Sequence, residues 1–371
     1  MRISRQILRA SLACYCLVAG TSVWAASCQV NSITQINSPY QLPAKSSSGI
    51  IATTEYDANG VSQLYVGGSG SLVCLSCAAG ANIPAVSLNK LMQSWHPSGK
   101  WLTVGVEFSS YILDWLPQAW KRGLLSSGVW LSPWAVEPAG NRWHQIFDLS
   151  AAGNPSFGYT GVLFSPDGGT GIWAEIVGPA GSTNALGVWR LYRGTVSTTP
   201  DGFPTLINKQ DITPAGARWV ETGNFAPDGR HILLSTDIGL SDAQGQDQWS
   251  LDISSGALKQ LTKSPTVWDE HGLYSPDGKQ IVWMSSLPYA SDPTSNQTFT
   301  LKTEFMLMNS DGTNVQQLTH FNVPGYPESQ PGRTVAGLAW FVGPNQLYGS
   351  TIGPNFSPVG WAITLGDGCV T

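Results

Sequence analysis

The chain has 371 residues, of which 42% are hydrophobic and only 12% charged, about half the charged share of an ordinary soluble domain. This composition excludes charge-driven disorder. The 41 glycines and 24 prolines require so many turns that long helices are not expected to dominate. The formal net charge of −5 offers no basic surface, so we expect no nucleic-acid partner.

The first segment has the pattern of a secretory signal peptide. Three arginines within the first nine residues precede an uncharged apolar stretch at 10–23, and Trp24-Ala25-Ala26-Ser27 follows as a small-residue cleavage region. The apolar stretch is shorter than a membrane span requires. We therefore predict a signal peptide at residues 1–26 and a mature protein that is periplasmic or secreted and not membrane-spanning.

Four cysteines remain after the signal peptide, an even number that suits an oxidising compartment: Cys28, Cys74, Cys77 and Cys369. Three pairings are possible. The favoured one joins Cys28 to Cys369 across the termini and leaves Cys74 and Cys77 as a short local bridge. A redox motif at Cys74-Leu75-Ser76-Cys77 and a lipid-anchored Cys28 are the alternatives.

One phrase recurs four times along the chain. Each copy is an aromatic residue, a small or polar residue, Pro, Asp or Ser, and Gly, which is the chemistry of a tight hairpin turn. A run of β-branched, aromatic and aliphatic residues follows each copy and predicts a buried strand. The copies are Trp95-His96-Pro97-Ser98-Gly99, Phe164-Ser165-Pro166-Asp167-Gly168, Phe225-Ala226-Pro227-Asp228-Gly229 and Tyr274-Ser275-Pro276-Asp277-Gly278.

A second hairpin follows in each repeating unit, so each unit has four strands. One unit is 50–70 residues long, which is the size of one propeller blade. We predict an all-β fold, a single six-bladed β-propeller of four-stranded antiparallel blades over 27–371. The last blade lacks one strand, which the N-terminal strand 29–36 would supply. The predicted blades span roughly 44–88, 89–155, 156–214, 215–265, 266–325 and 326–371.

Two phrases of the fifth unit resemble the WD-related repeats of TolB-type β-propellers, and the resemblance extends over nearly all of the mature chain. They are Ser275-Pro276-Asp277-Gly278-Lys279-Gln280-Ile281 and Met308-Asn309-Ser310-Asp311-Gly312-Thr313-Asn314-Val315-Gln316-Gln317-Leu318-Thr319. The resemblance implies six blades and an extracytoplasmic setting. TolB itself carries an α/β domain before its propeller and binds a peptidoglycan-associated lipoprotein, and we expect no room for that domain here. Similar repeats occur in peptidase-associated propellers and in an oligogalacturonate lyase family, so the fold does not decide the activity.

Long loops are expected on one face of the propeller, at 107–128, 177–187, 236–248 and 286–304, and such loops usually carry the binding surface. Two similar phrases begin innermost strands at this face, Trp219-Val220-Glu221-Thr222-Gly223 and Trp268-Asp269-Glu270-His271-Gly272. One interpretation is a site for a cation or an amine, with His271 as a metal ligand or base. The alternative is that Glu221 and Glu270 accept backbone hydrogen bonds and position loops.

Tryptophan is unusually abundant, with 16 in the chain. Most recur at equivalent strand positions, where they are expected to fill the space between blades. Trp115 and Trp120 instead lie in an insertion and could stack on sugar rings or dock a partner. The alternative is a lid packed on its own propeller.

The sequence lacks two common catalytic motifs, the Gly-x-Ser-x-Gly nucleophile elbow and the phosphate-binding Gly-rich loop. The five histidines fall at different blade positions, so we predict neither a metal site nor a cofactor. The leading hypothesis is a monomeric, non-catalytic scaffold that binds a protein or polysaccharide through Glu221, Asp269, Glu270, His271 and the tryptophans 115, 120, 219 and 268. The alternative is a polysaccharide lyase or glycosidase acting on acidic sugars.

Overall fold

The structure is a computed structural model. It describes residues 29–36, 41–46, 48–68, 71–80, 82–108, 125, 128–140, 142–149, 158–178, 186–241, 243–297, 300–330, 332–353, 358–366 and 369. The predicted signal peptide, Cys28, Trp115 and Trp120 lie outside these residues, so what was predicted for them stays a prediction. Within the described part of the chain, no helix has the length and apolar character needed to cross a bilayer.

The described strands form six antiparallel sheets in chain order, which confirms the predicted six-bladed propeller. The first strand, β1 (Val30–Ile36), belongs to the last blade. Blade one holds β2 (Gln41–Lys45), β3 (Ile51–Tyr56), β4 (Ser62–Gly68) and β5 (Ser71–Cys74). Blade two holds β6 (Lys90–Trp95), β7 (Leu102–Glu107), β8 (Leu131–Val136) and β9 (Trp143–Gln145).

Blade three holds β10 (Gly158–Tyr159), β11 (Leu163–Phe164), β12 (Thr170–Gly178), β13 (Val188–Thr198) and β14 (Pro204–Asp211). Its innermost strand is split in two, unlike the four-stranded prediction. The interruption includes Gly161, where an added Cβ would lie 3.2 Å from the carbonyl oxygen of Met92 in blade two. Blade four holds β15 (Val220–Phe225), β16 (His231–Thr236), β17 (Asp247–Asp252) and β18 (Leu258–Gln260).

Blade five holds β19 (Asp269–Tyr274), β20 (Gln280–Ser285), β21 (Glu304–Asn309) and β22 (Gln316–Gln317). Blade six holds β23 (Val335–Gly343), β24 (Gln346–Ile352) and β25 (Pro358–Leu365), and β1 pairs with β25 as its outer strand. Two 3₁₀ turns, Ala243–Gly245 and Leu287–Tyr289, lie in the long loops of blades four and five. The N-terminal strand therefore closes the ring, as predicted.

The repeated turn phrases join the first two strands of their blades and also contact the next blade. Gly229 and Gly278 have φ angles of 68° and 73°, which glycine adopts without steric cost. A Cβ at Gly229 would lie 3.4 Å from the ring of Pro166, and one at Gly278 would lie 2.9 Å from Pro227. The proline of one turn therefore packs on the glycine of the next.

The apolar core lies mainly between adjacent blades. One cluster joins Leu233 of blade four to Ile281, Trp283 and Met306 of blade five, and each of these side chains is almost fully buried. Other clusters join blades one and two, two and three, three and four, and five and six. Burial of these side chains, at about 1.5–3 kcal/mol each, holds the blades in a ring.

The disulfide between Cys74 and Cys77 forms as predicted, between the end of β5 and the loop that follows it. Cys369 is also disulfide-bonded, and its sulfur lies 3.3 Å from the carbonyl oxygen of Gln29. Because Cys28 lies outside the described residues, the Cys28–Cys369 pairing remains a prediction.

The innermost strands share a register shift that shapes the channel wall. The shift lies between Leu91 and Ser94 in β6 and between Glu270 and Leu273 in β19, with similar shifts in β15 and β23. Met92 and His271 occupy equivalent places in it and have φ angles of 56° and 57°. Regular pairing of the first two strands is therefore interrupted at a corresponding position in several blades.

Candidate binding site at the channel mouth

Glu221 and Glu270 occupy the same place in neighbouring blades. Each is the second residue of an innermost strand, and they pair across to Ser235 in β16 and Met284 in β20. The second strand of each pair ends at this level and leads into a long loop. Both carboxylates thus stand where the channel opens on the long-loop face.

His271 completes a three-residue cluster with these acids. One possible ligand atom from each of Glu221, Glu270 and His271 can be chosen so that all lie within 4.8 Å of one another. The Nε2 atom of His271 lies 3.3 Å from Oε2 of Glu221, and these side chains remain 30% and 23% exposed. Glu270 is buried. The cluster therefore combines a buried acid with two groups that solvent can reach.

Several groups outside the cluster hold its members in place. The indole Nε1 of Trp268 donates a hydrogen bond of 2.8 Å to Oε2 of Glu270. The Nδ1 atom of His271 lies 3.3 Å from the carbonyl oxygen of Gly337 in blade six. The backbone N–H of His271 donates to Oγ of Ser235 at 3.2 Å. Three blades therefore contribute to one small site.

His271 adopts the left-handed backbone conformation, with φ of 57°, which costs a non-glycine residue about 1–2 kcal/mol. The glycines beside it explain how the chain is held there. A Cβ on Gly272 would clash with the side chain of Gln248, and a Cβ on Gly223 would clash with the carbonyl oxygen of Gly272. Met92 has the same conformation at the equivalent place of blade two, so this backbone geometry belongs to the repeated shift in strand pairing.

The three titratable groups shift one another's protonation. Burial raises the pKa of Glu270, and the nearby Glu221 carboxylate adds to that effect while the positive charge of His271 opposes it. Burial alone would raise the pKa of Glu221, but His271 outweighs it and holds that pKa below its usual value. Burial would lower the pKa of His271, yet Glu221 and Glu270 together raise it. The cluster thus favours an ion pair between His271 and Glu221 beside a more weakly acidic Glu270.

The other predicted site residues lie behind the cluster. Asp269, Trp219 and Trp268 are buried, and the Asp269 carboxylate accepts a hydrogen bond of 2.9 Å from Nε1 of Trp283. Burial raises the pKa of Asp269 to about 6. We expect these three residues to position the channel wall rather than to touch a partner.

Sequence reasoning missed Gly337 and Ser235, which contact His271 from blade six and from β16. Gly337 acts through its backbone carbonyl, which no side-chain pattern marks. Ser235 also accepts a hydrogen bond of 2.8 Å from Nε2 of Gln248. Its only sequence signal is its place opposite Glu221 in the adjacent strand.

No family model matches this sequence, and no curated protein matches it. Among solved structures the chain is similar to an oligogalacturonate lyase in complex with manganese, at 12% identity over 92% of this chain and 97% of that one, with a TM-score of 0.50. It is similar to a puromycin-hydrolysing peptidase of Mycobacterium tuberculosis, at 10% identity over 92% of this chain and 56% of that one, with a TM-score of 0.51. A protein assigned as TolB from Agrobacterium tumefaciens matches at 15% identity over 90% and 91% of the two chains, with a TM-score of 0.48. At such identities the similarity shows the fold alone.

Proposed function

We propose that this six-bladed propeller is an extracytoplasmic, non-catalytic scaffold that binds a protein or polysaccharide partner at the channel mouth on its long-loop face. The observation that carries the proposal is the Glu221, Glu270 and His271 cluster, in which side chains from two blades meet at the opening within 4.8 Å. The Cys74–Cys77 disulfide supports an oxidising compartment.

One feature of the cluster supports a binding role over a purely structural one. Glu221 and His271 are partly exposed, so a ligand in the channel could reach them. A cluster that served only to anchor loops would not need this solvent access.

The test is the double variant Glu221→Gln with Glu270→Gln, screened beside the wild type against a panel of defined polysaccharides and peptidoglycan fragments. We expect the wild type to bind one class and the variant to bind it at least tenfold more weakly, a loss of about 1.4 kcal/mol. The variant should still fold, because glutamine at 270 can accept the Trp268 hydrogen bond, and its affinity is compared with that of the wild type per folded molecule.

Trp283→Ala is the control for a purely structural effect. It removes a fully buried ring and should cost about 3–5 kcal/mol of folding stability through lost burial and a cavity. If the double variant is as unstable as this control and binds unchanged per folded molecule, the channel mouth is a structural element, and the insertion with Trp115 and Trp120 becomes the better candidate surface.

A second candidate is a lyase or glycosidase acting on acidic sugars. It is favoured by Glu270, because burial raises its pKa to about 7, the range in which a carboxyl group serves as a general acid or base at neutral pH. Incubating the protein with uronate oligosaccharides, with and without divalent metal, separates the two functions. A new absorbance from unsaturated products, lost in Glu270→Gln, would establish the lyase and reject the non-catalytic scaffold.

A further inference from the structure

We propose that Glu221, Glu270 and His271 bind one divalent transition-metal ion at the channel mouth. The proposal goes beyond the scaffold function and does not depend on it, since an ion could occupy the site whether or not a partner is present. It also reverses the expectation from the sequence, in which the histidines showed no metal-binding spacing.

The separations of the donor atoms suit a single ion. Ligand atoms at typical metal–ligand distances of about 2.0–2.2 Å lie about 3–4.3 Å from one another around the ion. The Nε2 atom of His271 and Oε2 of Glu221 are 3.3 Å apart, inside that range. The three ligand atoms lie within 4.8 Å of one another, so small side-chain rotations would bring the cluster to binding geometry.

The imidazole of His271 is oriented as a metal ligand would be. Its Nδ1 atom faces the carbonyl oxygen of Gly337 at 3.3 Å, and a carbonyl can only accept, so Nδ1 carries a hydrogen. The ion pair with Glu221 places the second ring proton on Nε2, and binding of a metal would release that proton and free the Nε2 lone pair. Metal-bound histidines commonly donate their other N–H to a backbone carbonyl in this way.

The carboxylate of Glu270, like the ring of His271, is oriented by a hydrogen bond with a group outside the cluster. Its Oε2 atom accepts the Trp268 indole hydrogen bond at 2.8 Å, which fixes the orientation of the carboxylate, and the carboxylate also shares a hydrogen bond with Glu221. Trp268 thus acts on Glu270 as Gly337 acts on His271. These two contacts come from different blades, so each supports the ligand assignment independently.

The donor set and its exposure indicate the kind of ion. Two carboxylates and one imidazole suit Zn²⁺ or Mn²⁺, whereas Mg²⁺ and Ca²⁺ prefer oxygen ligands alone. Three protein ligands leave at least one coordination position open. Because Glu221 and His271 are partly exposed, water in the channel can fill that position.

The experiment is calorimetric titration of tag-free, chelator-treated protein with Zn²⁺, Mn²⁺ and Mg²⁺ separately. We expect one Zn²⁺ or Mn²⁺ per chain and much weaker binding of Mg²⁺. Glu221→Gln, Glu270→Gln and His271→Asn should each weaken binding at least tenfold, since loss of an outer partner alone costs about 10- to 100-fold. Asparagine is chosen at 271 because it tolerates the left-handed backbone.

His231→Asn is the matched control. His231 pairs with Asp228 at 2.6 Å on an exposed turn of blade four, and among the described residues this histidine–carboxylate pair has no third ligand beside it. Its removal should leave the titration unchanged. Trp268→Phe, which keeps all three ligands but removes the indole donor, should weaken binding about tenfold, and the Mn²⁺ resonance spectrum should change with it.

Two results would overturn the metal site. One is the absence of stoichiometric Zn²⁺ or Mn²⁺ binding by the folded wild-type protein. The other is binding that the three ligand variants leave as strong as the His231→Asn control does. Circular dichroism of each variant confirms folding before titration, so a ligand variant that does not fold is replaced by Trp268→Phe as the deciding comparison.

Discussion

The Nε2 atom of His271 lies 3.3 Å from a carboxylate oxygen of Glu221, although the two residues belong to different blades. The pair joins β19 to β15 across the channel wall, and the Nδ1 atom of the same ring faces blade six. One side chain therefore connects three consecutive innermost strands. The protonation of His271 should consequently depend on its neighbours in the ring.

We predict that Glu221→Gln lowers the pKa of His271 in chelator-treated protein. In the wild type, burial opposes protonation but the Glu221 and Glu270 carboxylates raise the pKa to about 10 from an ordinary 6.5. The stability that this raised pKa contributes is fully present below pH 6.5 and is lost as the pH rises through about 10. The stability gap between wild type and variant should therefore narrow in alkali.

Nuclear magnetic resonance titration of the His271 ring measures the pKa directly. Glu137→Gln, at an exposed pair with Arg142 elsewhere in the ring, serves as the control and should leave the His271 titration unchanged. A His271 titration that is the same in Glu221→Gln as in the wild type would contradict the prediction.

Asn224→Ala should weaken the junction of blades four and five. The Asn224 side chain accepts a hydrogen bond of 2.7 Å from the backbone N–H of Tyr274 and donates one of 3.1 Å to its carbonyl. Two such bonds contribute about 1–3 kcal/mol together, so urea unfolding should show a loss of that size. Asn59→Ala, at an exposed turn, should change stability little, and equal losses in both variants would count against the junction.

Reduction of the protein should lower its stability mainly through Cys369. The Cys74–Cys77 bridge spans a sequence separation of only 3, which in the chain-entropy account is worth about 2 kcal/mol, against about 5 kcal/mol for a link between the termini. Cys369→Ser should therefore lower the melting temperature more than Cys74→Ser with Cys77→Ser. Peptide mapping checks the pairing, and a Cys28–Cys77 or Cys74–Cys369 peptide would refute it.

Lys90 should make stability depend on pH between 8 and 10.5. Its ammonium is fully buried, donates to the carbonyl of Ala85 at 2.8 Å, and has its pKa lowered by burial to about 8 from 10.5. The stability contributed by the lowered pKa is fully present above 10.5 and is lost as the pH falls through about 8.

Relative to Lys90→Met, the wild type should therefore gain about 3 kcal/mol as the pH rises across this range. Urea unfolding of both proteins at several pH values measures the difference. Stability curves that run parallel from pH 7.5 to 10.5 would show that Lys90 is not responsible.

The fold could be predicted because its signals are local and repeated. The turn at Phe225-Ala226-Pro227-Asp228-Gly229 specifies a hairpin from five adjacent residues, and its counterpart at 274–278 repeats the pattern in the next blade. The four copies of this turn mark four of the six blades, and the recurring strand pattern in the rest of the sequence marks the other two. The missing strand of the last blade then predicts the pairing of β1 with β25.

The site could be predicted only in part. The equivalent places of Glu221 and Glu270 follow from the blade register, so their proximity was expected. The left-handed conformation of His271 and its contact with the carbonyl of Gly337 depend on a shift in strand pairing between Glu270 and Leu273. That shift is a property of backbone geometry across three blades, and no spacing of side chains in the sequence records it.

Because β1 pairs with β25, the last blade can form only after both ends of the chain have been made. Val30 lies opposite Leu365 in this sheet, so a strand made at the start of synthesis has no partner until the far end of the polypeptide emerges. Contacts between such distant positions are slow to form. Until then β1 has no strand partner and is open to pairing with other chains. The ring therefore closes only after the last strand of the chain has been made, however strongly the blades pack against one another.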